Sequence, residues 1–306
     1  MFSVVILAAG VGKRFHSTIP KVFHLICGRP MVSYIIDAVK ELNPHRVVMV
    51  VQKGKKPDID GVEFAIQKAP RGTGDALLSA EAPVGGEQNI LVLPGDVPLI
   101  TSSTLLSLGK AHRKKSCTIL TMLLENPASY GRIVKDGDKV VKIVEERDAT
   151  LKEKEIKEVN TGIYMFETSA VFESLKDLNP DNAQGEYYLT DVIGNMRSKG
   201  YKIGTFIVEN RSEVIGVNDR STLSYVNGIM QKRIIKRHQL KGVTISPPVA
   251  IDYDVKIGND TIIYPFTAIY GKTTIGEACT IGPNVVIDNS NIPPGTVIKP
   301  FTKVRE

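Results

Sequence analysis

"VVILAAGVGKRFHSTIPKV", residues 4–22, decides how the first half of the chain is read. Val4 to Ala9 is an unbroken apolar run of strand length, as expected of a strand covered on both faces in a parallel sheet. Gly10 and Gly12, the basic Lys13 and Arg14, and a Pro20-Lys21 pair follow in close succession. A dinucleotide loop would need G-x-G-x-x-G, but Phe15 stands where the third glycine belongs. A P-loop would need G-x-x-x-x-G-K-[ST]; Leu7 lies five residues before Gly12, and Arg14 follows Lys13. What remains is L-x-x-G-x-G-x-R, in which backbone N–H groups and two cations, Arg14 and Lys21, face an anion. At an effective dielectric of ~20, a charge ~4 Å from a phosphate oxygen contributes on the order of 4 kcal/mol before desolvation, so two such residues can orient a triphosphate. Alone, the loop favours an anion site, with a tight strand-to-helix turn carrying incidental basic residues as the alternative.

Working outward, short apolar runs alternate with amphipathic stretches up to about residue 218. Strands are expected over 2–8, 46–51, 62–66 and 90–93. Helices are expected from Met31, over 73–82, and over 102–114 with a serine cap. This βαβα order predicts an α/β fold with a doubly wound sheet, in which ligands sit beyond the carboxyl ends of the strands. Later strands near 117–124, 139–145 and 159–166, with a turn at Lys135-Asp136-Gly137, predict that the sheet is mixed. In "LVLPGDVPLI", residues 91–100, Asp96 projects from such a carboxyl end. Magnesium needs only one or two protein oxygens when phosphates supply others. The competing account is a turn-forming aspartate ahead of Val97-Pro98.

Residues 219–241 read as one helix, with Leu223, Val226, Met230, Ile234 and Ile235 on its apolar side, and Gly242 stops it. Beyond it, isoleucine recurs every six positions: Ile245, Ile251, Ile257, Ile263, Ile269, Ile275, Ile281 and Ile287. Four residues after each sits a small or branched residue, from Val249, Val255 and Thr261 through Thr267, Thr273, Cys279 and Val285, until Asn291 breaks the pattern. Such a period predicts a hexapeptide β-helix of just under three turns. A solenoid this short buries little by itself, so self-association is expected.

The bulk numbers agree with a two-part protein. At 306 residues the chain exceeds the size at which single cores stop growing, about 250–300 residues. The net charge of +6 suits phosphate substrates without calling for nucleic acid. The basic run Lys232–Lys241 reads as a solvated face or subunit contact, with an anion-binding surface as the alternative. Cys27, Cys117 and Cys279 are far apart and lack metal-ligand spacing, as expected of reduced thiols in the cytoplasm. The first apolar run is too short for a membrane span or signal peptide.

Several segments together resemble the sugar-nucleotide pyrophosphorylases, and most closely the uridylyltransferase half of the bacterial bifunctional enzyme that makes UDP-N-acetylglucosamine. They are "LAAGVGKR", "PKV", "QKAPRGTGDA", "GDVPL", "YGRI", "IVEERDA", "NTGIY", "NAQGEYYLTD" and "GVNDR", in the family's order over residues 1 to about 220. The first also occurs in cytidylyltransferases; the last two are far more specific. The resemblance implies a Rossmann-like nucleotidyltransferase domain over 1–218, a connecting helix over 219–241, and a short left-handed parallel β-helix over 242–306.

The resemblance also implies roles. Leu7, Ala8, Gly10, Gln67 and Gly72 would surround the uracil, with Gln67 reading the base edge and Thr73 beside the nucleotide. Arg14 and Lys21 would hold the triphosphate, and Asp96 with Asn218 would ligate Mg2+. Gly131, Glu145, Asn160, Tyr188 and Thr190 would receive the sugar and its N-acetyl group. Without that context Glu145 could be a surface charge, Asn160 a strand-end turn residue, and Tyr188 core. The partners implied are UTP and a sugar-1-phosphate such as N-acetylglucosamine-1-phosphate, in a cytoplasmic homo-oligomer joined through the β-helix and connecting helix, a trimer among the options. No nucleic acid or membrane partner is expected, and the pathway the resemblance implies is cell-wall precursor synthesis.

Two departures stand out. The family often has tyrosine before Gly-Asp, where this chain has Pro94. All five histidines, His16, His24, His45, His112 and His238, precede the solenoid, so the usual base for acetyl transfer is missing from 242–306 and that activity is expected to be absent. Rival expectations are a uridylyl- or thymidylyltransferase for another sugar-1-phosphate such as glucose-1-phosphate, or a non-catalytic sugar-nucleotide-sensing subunit. The sensor is disfavoured because Arg14, Lys21, Asp96 and Asn218 are all present. A hexapeptide acyltransferase with a regulatory first domain is disfavoured by the histidine positions.

Overall fold

The computed structural model describes residues 2–10, 12–54, 57 and 59–305, with Lys13 by its backbone alone. Val11 of the glycine loop and the chain ends Met1 and Glu306 lie outside the described residues. The chain forms two compact units, residues 1–22 with 32–218, and residues 23–31 with 219–306. The second unit thus includes a piece of the first fifth of the sequence, which contiguous segments divided at 218 do not anticipate.

The first unit is built on a nine-stranded mixed sheet. Its strands are β1 (Phe2–Leu7), β4 (Val47–Gln52), β5 (Glu63–Gln67), β6 (Asn89–Pro94), β7 (Cys117–Leu123), β8 (Arg132–Asp136), β9 (Lys139–Val144), β10 (Glu158–Glu167) and β11 (Ile203–Ile207); β2 (Leu25–Ile26) and β3 (Arg29–Pro30) belong to the second unit. The order is β11-β7-β10-β6-β1-β4-β5, with β8 and β9 attached beside β10. β1 lies parallel to both β4 and β6, and Leu7 is in register with Val50 and Pro94. The three carboxyl ends are therefore level. From β1 the chain moves outward through β4 and β5, then returns to β6 on the other side, so a switch point opens between β1 and β6. Val4, Val5, Ile6 and Ile90, Val92, Leu93 are wholly buried, because helices cover both faces of these parallel strands.

The helix over Ser102–Ala111 is capped by Thr101, whose hydroxyl accepts from Thr104 N at 3.3 Å, and not by the expected serine. The 73–82 stretch is two short helices, Thr73–Leu78 and Glu81–Val84. β10 runs antiparallel to β6 and β7, and its register with β7 slips between Asn160 and Ile163. Asn160 therefore sits at a bulge inside a long strand, not at a strand-end turn. The extra residues, with Gly162 at φ 79°, re-aim its side chain.

In the second unit the helix Arg220–Gln239 begins at Asp219, whose carboxylate accepts from Thr222 N at 2.7 Å. It buries Val226, Met230 and Ile234 as expected; His238 is buried too, and Leu223 and Ile235 only half so. The two-residue hairpin turn Cys27-Gly28 between β2 and β3 has both residues at positive φ, 43° and 80°. A Cβ on Gly28 would lie 2.5 Å from the Asp252 carboxylate, so only glycine fits. Tyr253 is sandwiched between the Arg29 and Arg237 guanidiniums, 4.8 and 4.6 Å from its ring centre. Arg237 of the basic run therefore serves internal packing.

The remainder is a left-handed parallel β-helix of three sheets. They are β12 (Thr244–Ile245), β15 (Ile262–Ile263), β18 (Thr280–Ile281), β21 (Val297–Ile298); β13 (Ala250–Ile251), β16 (Ala268–Tyr270), β19 (Val286–Asp288), β22 (Lys303–Arg305); and β14 (Lys256–Ile257), β17 (Thr274–Ile275), β20 (Asn291–Ile292). The hexad isoleucines stack in buried ladders. The inward threonines satisfy their hydroxyls on backbone carbonyls, Thr261 on Gly276 at 2.8 Å and Thr267 on Gly282 at 3.0 Å in the next coil, and Thr273 on Tyr270 at 2.7 Å in its own. The repeat does not stop at Asn291. Ile275 pairs with Ile292 and Ile281 with Ile298, one residue short of the six-residue phase. The shortened coil turns at Asp288-Asn289, where Asn289 takes φ 47°, and buried Ser290 stands in for the threonine, its N–H donating to Thr273 Oγ1 at 3.2 Å. The expectation of just under three turns is corrected: with sheets of four, four and three strands, the solenoid approaches four turns.

Candidate active site

The carboxyl ends of β1, β5 and β6, with the bulge of β10, surround a cavity of about 680 Å³ in the first unit. Leu7, Ala8, Gly10, Arg14, Lys21, Gln67, Gly72, Thr73, Asp96, Glu145, Asn160, Thr190 and Asn218 all line it. Gly131 and Tyr188 do not. Gly131 lies behind Glu145: a Cβ there would meet Ile143 Cγ2 at 3.0 Å and the Glu145 carboxylate oxygens at 3.5 Å. Tyr188 is buried, its hydroxyl accepts from Gln184 Nε2 at 2.5 Å, and it faces an adjoining pocket that shares Glu145 with Asp148 and Asp191. The core role weighed for Tyr188 accounts for its burial.

One end of the cavity is charged. The Lys21 ammonium is gripped by the Asp96 carboxylate and by Asn218 Oδ1, the latter at 3.1 Å. Asp96 is placed there because Gly95 holds the end of β6 close against β1: Gly95 N donates to Leu7 O at 2.8 Å, and a Cβ on Gly95 would lie 3.2 Å from that oxygen. Asn218 is brought in by its own segment, in which Val217 N donates to Asp96 O at 2.8 Å. Two hard oxygens from distant parts of the sequence thus converge on one cation. That donor set fits magnesium, which keeps its remaining positions for phosphate and water. Among the described residues no three His, Cys, Asp or Glu side chains cluster as an all-protein metal cage. Arg14 is exposed at the cavity rim and makes no ion pair among the described residues, so its charge is available to a ligand.

The middle of the cavity is shaped by backbone. Gln52 Nε2 donates to Ala9 O at 2.7 Å and pins the glycine loop. Gly72 takes φ 115°, and a Cβ there would lie 2.5 Å from Tyr187 O; Gly74 N and Tyr187 N lace the same two segments together with 2.8 Å bonds. The far end is polar. Thr190 donates to Glu145 Oε1 at 3.0 Å, and Asn160 donates to the Tyr164 hydroxyl at 2.8 Å while accepting from Gly162 N at 3.1 Å. Burial pushes the Glu145 carboxyl pKa up, the Thr190 hydroxyl opposes this, and Asp191 and Asp148 add to the rise. Pro94 faces Gly162 across the cavity floor, with a Gly162 Cβ position 3.6 Å from Pro94 Cγ. Tyr164 supplies an aromatic ring from the neighbouring strand. Tyr164, Gln184 and Glu186 also line the cavity; they lie inside "NTGIY" and "NAQGEYYLTD" but drew no role from the sequence.

The comparisons bear on this arrangement. A family model described as the MobA-like NTP transferase domain matches residues 4–150, and one described as the bacterial transferase hexapeptide (six repeats) matches residues 254–289. "Bifunctional protein GlmU" of Acetivibrio thermocellus is 45% identical over 327 residues, covering 98% of this chain and 71% of that protein. The chain belongs to the GlmU family. The GlmU protein of Caldanaerobacter subterraneus subsp. tengcongensis is also 45% identical, over 94% of this chain and 65% of its own length. The chain thus spans about two thirds of the GlmU proteins it matches. Among solved structures, a chain described as a glucose-1-phosphate thymidylyltransferase from Bacillus anthracis, in complex with sucrose, superposes with a TM-score of 0.59 at 19% identity, covering 75% of this chain and 95% of that one. This likeness is one of fold. The three thiols are free and buried, with the Cys27 thiol pushed up to about 11 by burial, and no helix among the described residues is long and apolar enough to cross a membrane.

Proposed function

We propose that this GlmU-family chain is a sugar-1-phosphate nucleotidyltransferase, and specifically a magnesium-dependent UTP:N-acetylglucosamine-1-phosphate uridylyltransferase that releases pyrophosphate. The observation that carries this is the convergence of Lys21, Asp96 and Asn218 at one end of a cavity whose other end holds Glu145, Asn160 and Thr190. A phosphate-handling end and a hydroxyl-recognising end share one space.

The chemistry needs no nucleophilic side chain and no general base. A phosphate oxygen of the sugar phosphate attacks the α-phosphorus in line; the bond from that phosphorus to the α–β bridging oxygen breaks, and pyrophosphate departs with the electron pair. The protein must hold two polyanions together and offset their repulsion. Arg14 and Lys21 do this with fixed positive charge, Lys21 exchanging its contact with Asp96 for one with the phosphates. Asp96 and Asn218 would hold magnesium, which when bound neutralises phosphate charge. Glu145 and Thr190 would bind sugar hydroxyls, Asn160 would orient the ring and its N-acetyl group, Gly131 would support Asn160 from behind, its carbonyl accepting from Asn160 N at 2.8 Å, and Tyr188 would back Glu145 from the adjoining pocket. Gln67, Gly72, Leu7, Ala8, Gly10 and Thr73 would enclose the base.

The second unit is read as a structural and self-associating element. Phe266, Val297 and Phe301 are 65%, 69% and 81% exposed on its surface, which supports association of solenoids. No histidine lies within residues 242–306, which supports a function for this segment other than acetyl transfer. The test is pyrophosphate release from UTP, with magnesium, across a panel of hexosamine- and hexose-1-phosphates. Turnover with N-acetylglucosamine-1-phosphate above the rest is expected. Preference for glucose-1-phosphate or for dTTP would move the assignment within the class, and no release with any acceptor would overturn it.

A further inference from the structure

Gln67 is the last residue of β5, only 4% exposed, and part of the cavity wall. Its amide nitrogen donates twice, to Gly72 O at 3.0 Å and to Asp75 Oδ2 at 2.9 Å. Carbonyl and carboxylate oxygens only accept, so the pair fixes which end of the amide carries the hydrogens. The carbonyl oxygen Oε1 accepts nothing from the described residues and is the end left for a ligand. Asp75 is itself held, with its other oxygen 3.0 Å from the Arg71 guanidinium; its side chain is 12% exposed and stands outside the cavity wall.

Resting on the uridylyltransferase assignment above, we propose that Asp75 is a positioning residue that determines base specificity. By locking Gln67 as a pure acceptor, it makes the cavity choose a pyrimidine whose ring nitrogen N3 carries a hydrogen and reject one whose N3 is itself an acceptor. Uracil and thymine present N3–H and satisfy Oε1. Cytosine presents a lone pair, leaving two acceptors face to face in a buried site, a loss that hydrogen-bonding sites turn into strong discrimination. The bond to Asp75 is charge-assisted and so the stronger of the two that hold the amide. Asp75→Asn replaces it with a group that can donate to Gln67 Oε1, letting the amide turn over; the Gly72 carbonyl still favours the original orientation. Discrimination should therefore fall without inverting.

Equilibrium binding of UTP and CTP, with magnesium present, reads this directly. The unaltered protein is expected to bind UTP at least about tenfold more tightly than CTP, and D75N should lower that ratio by about tenfold, with the KM for sugar phosphate unmoved. Arg71→Gln, a change at a 62% exposed side chain, should lower the ratio less and in the same direction, and it serves if D75N does not fold. An unchanged ratio, or equal weakening of UTP and CTP, overturns the proposal by making Asp75 merely structural. Pyrophosphate release is assayed separately. A ratio that falls in D75N while no sugar phosphate is turned over sustains the Asp75 role and sinks the assigned activity. Turnover with an unmoved ratio does the reverse.

Discussion

Replacing Asp96 with asparagine is the sharpest perturbation of the charged end of the cavity. The substitution keeps the shape of the side chain and removes one unit of negative charge beside the Lys21 ammonium and Asn218 Oδ1. Two effects follow, and they are separable. The first is on stability: the Lys21 and Asp96 side chains are 16% and 14% exposed, so the pair is neither a surface contact nor fully desolvated. Its loss should cost about 1–3 kcal/mol, between the exposed and buried limits. The second is on chemistry. A unit charge ~4 Å from a cation at an effective dielectric of ~20 is worth on the order of 4 kcal/mol, and about 1.4 kcal/mol is tenfold in rate. Allowing for partial retention of the site by Asn218, turnover should fall by about 10²–10³-fold. Because Lys21 is freed for the phosphates, the KM for UTP should stay within a few-fold of its original value. The assay is pyrophosphate release at saturating substrates over a magnesium titration, with thermal unfolding alongside. A D96N variant that turns over within threefold of the unaltered protein, with the same magnesium dependence, would refute the role assigned to Asp96.

Three other outcomes follow from particular contacts. Gly72→Ala forces a Cβ to within 2.5 Å of Tyr187 O at φ 115°, so chemical denaturation should show a loss of at least ~2 kcal/mol, and UTP binding should weaken with it. His238 is buried, both its ring nitrogens lack a hydrogen-bond partner among the described residues, and burial, then Arg237 and Lys241, lower its pKa to about 4. An unfolded histidine takes up its proton near ~6.5, so stability is lost as pH falls from there towards 4. Urea unfolding should show about 2 kcal/mol lost by pH 5 relative to pH 7.5, a loss that His238→Leu removes. The Glu145 carboxyl, raised by burial, should protonate at higher pH than an ordinary glutamate. The KM for sugar phosphate should then rise on acidification sooner than an ordinary carboxylate predicts, and Glu145→Gln should abolish that limb of the profile.

The fold was legible where a single period or polarity governs a long stretch. The apolar run at β1 must be buried on both faces, and an isoleucine every sixth residue can stack in only one way. Legibility failed where one residue changes phase. The deletion at Asp288–Ser290 looks in one dimension like the end of the repeat. In three dimensions the coil absorbs it by turning at a positive-φ asparagine and substituting a buried serine for a threonine, and Ile292 and Ile298 fall back into line. The hairpin at 23–31 was hidden for a different reason. Its attachment depends on Gly28 yielding space to Asp252 and on Tyr253 lying between two guanidiniums, contacts with no sequence periodicity at all.

The site shows the same division between what residue types announce and what geometry adds. Asp96 and Lys21 sit in local contexts, a strand end and a glycine loop, that are compatible with phosphate chemistry but each also fit a plain turn, and only their combination with the other motifs favours a phosphate site. Asn218 has no such context, and only the family's order of motifs singled it out before Val217 N was seen bonded to Asp96 O. The family resemblance implies that Gln67 reads the base, yet an amide can donate or accept, and its name alone leaves the sign of that contact open. The sign is set by Asp75 and Gly72, which consume its donors. A side chain's role in a cavity is thus fixed by the hydrogen bonds it makes behind the wall. Substitutions that alter only those bonds should change which base is chosen before they change whether one is bound.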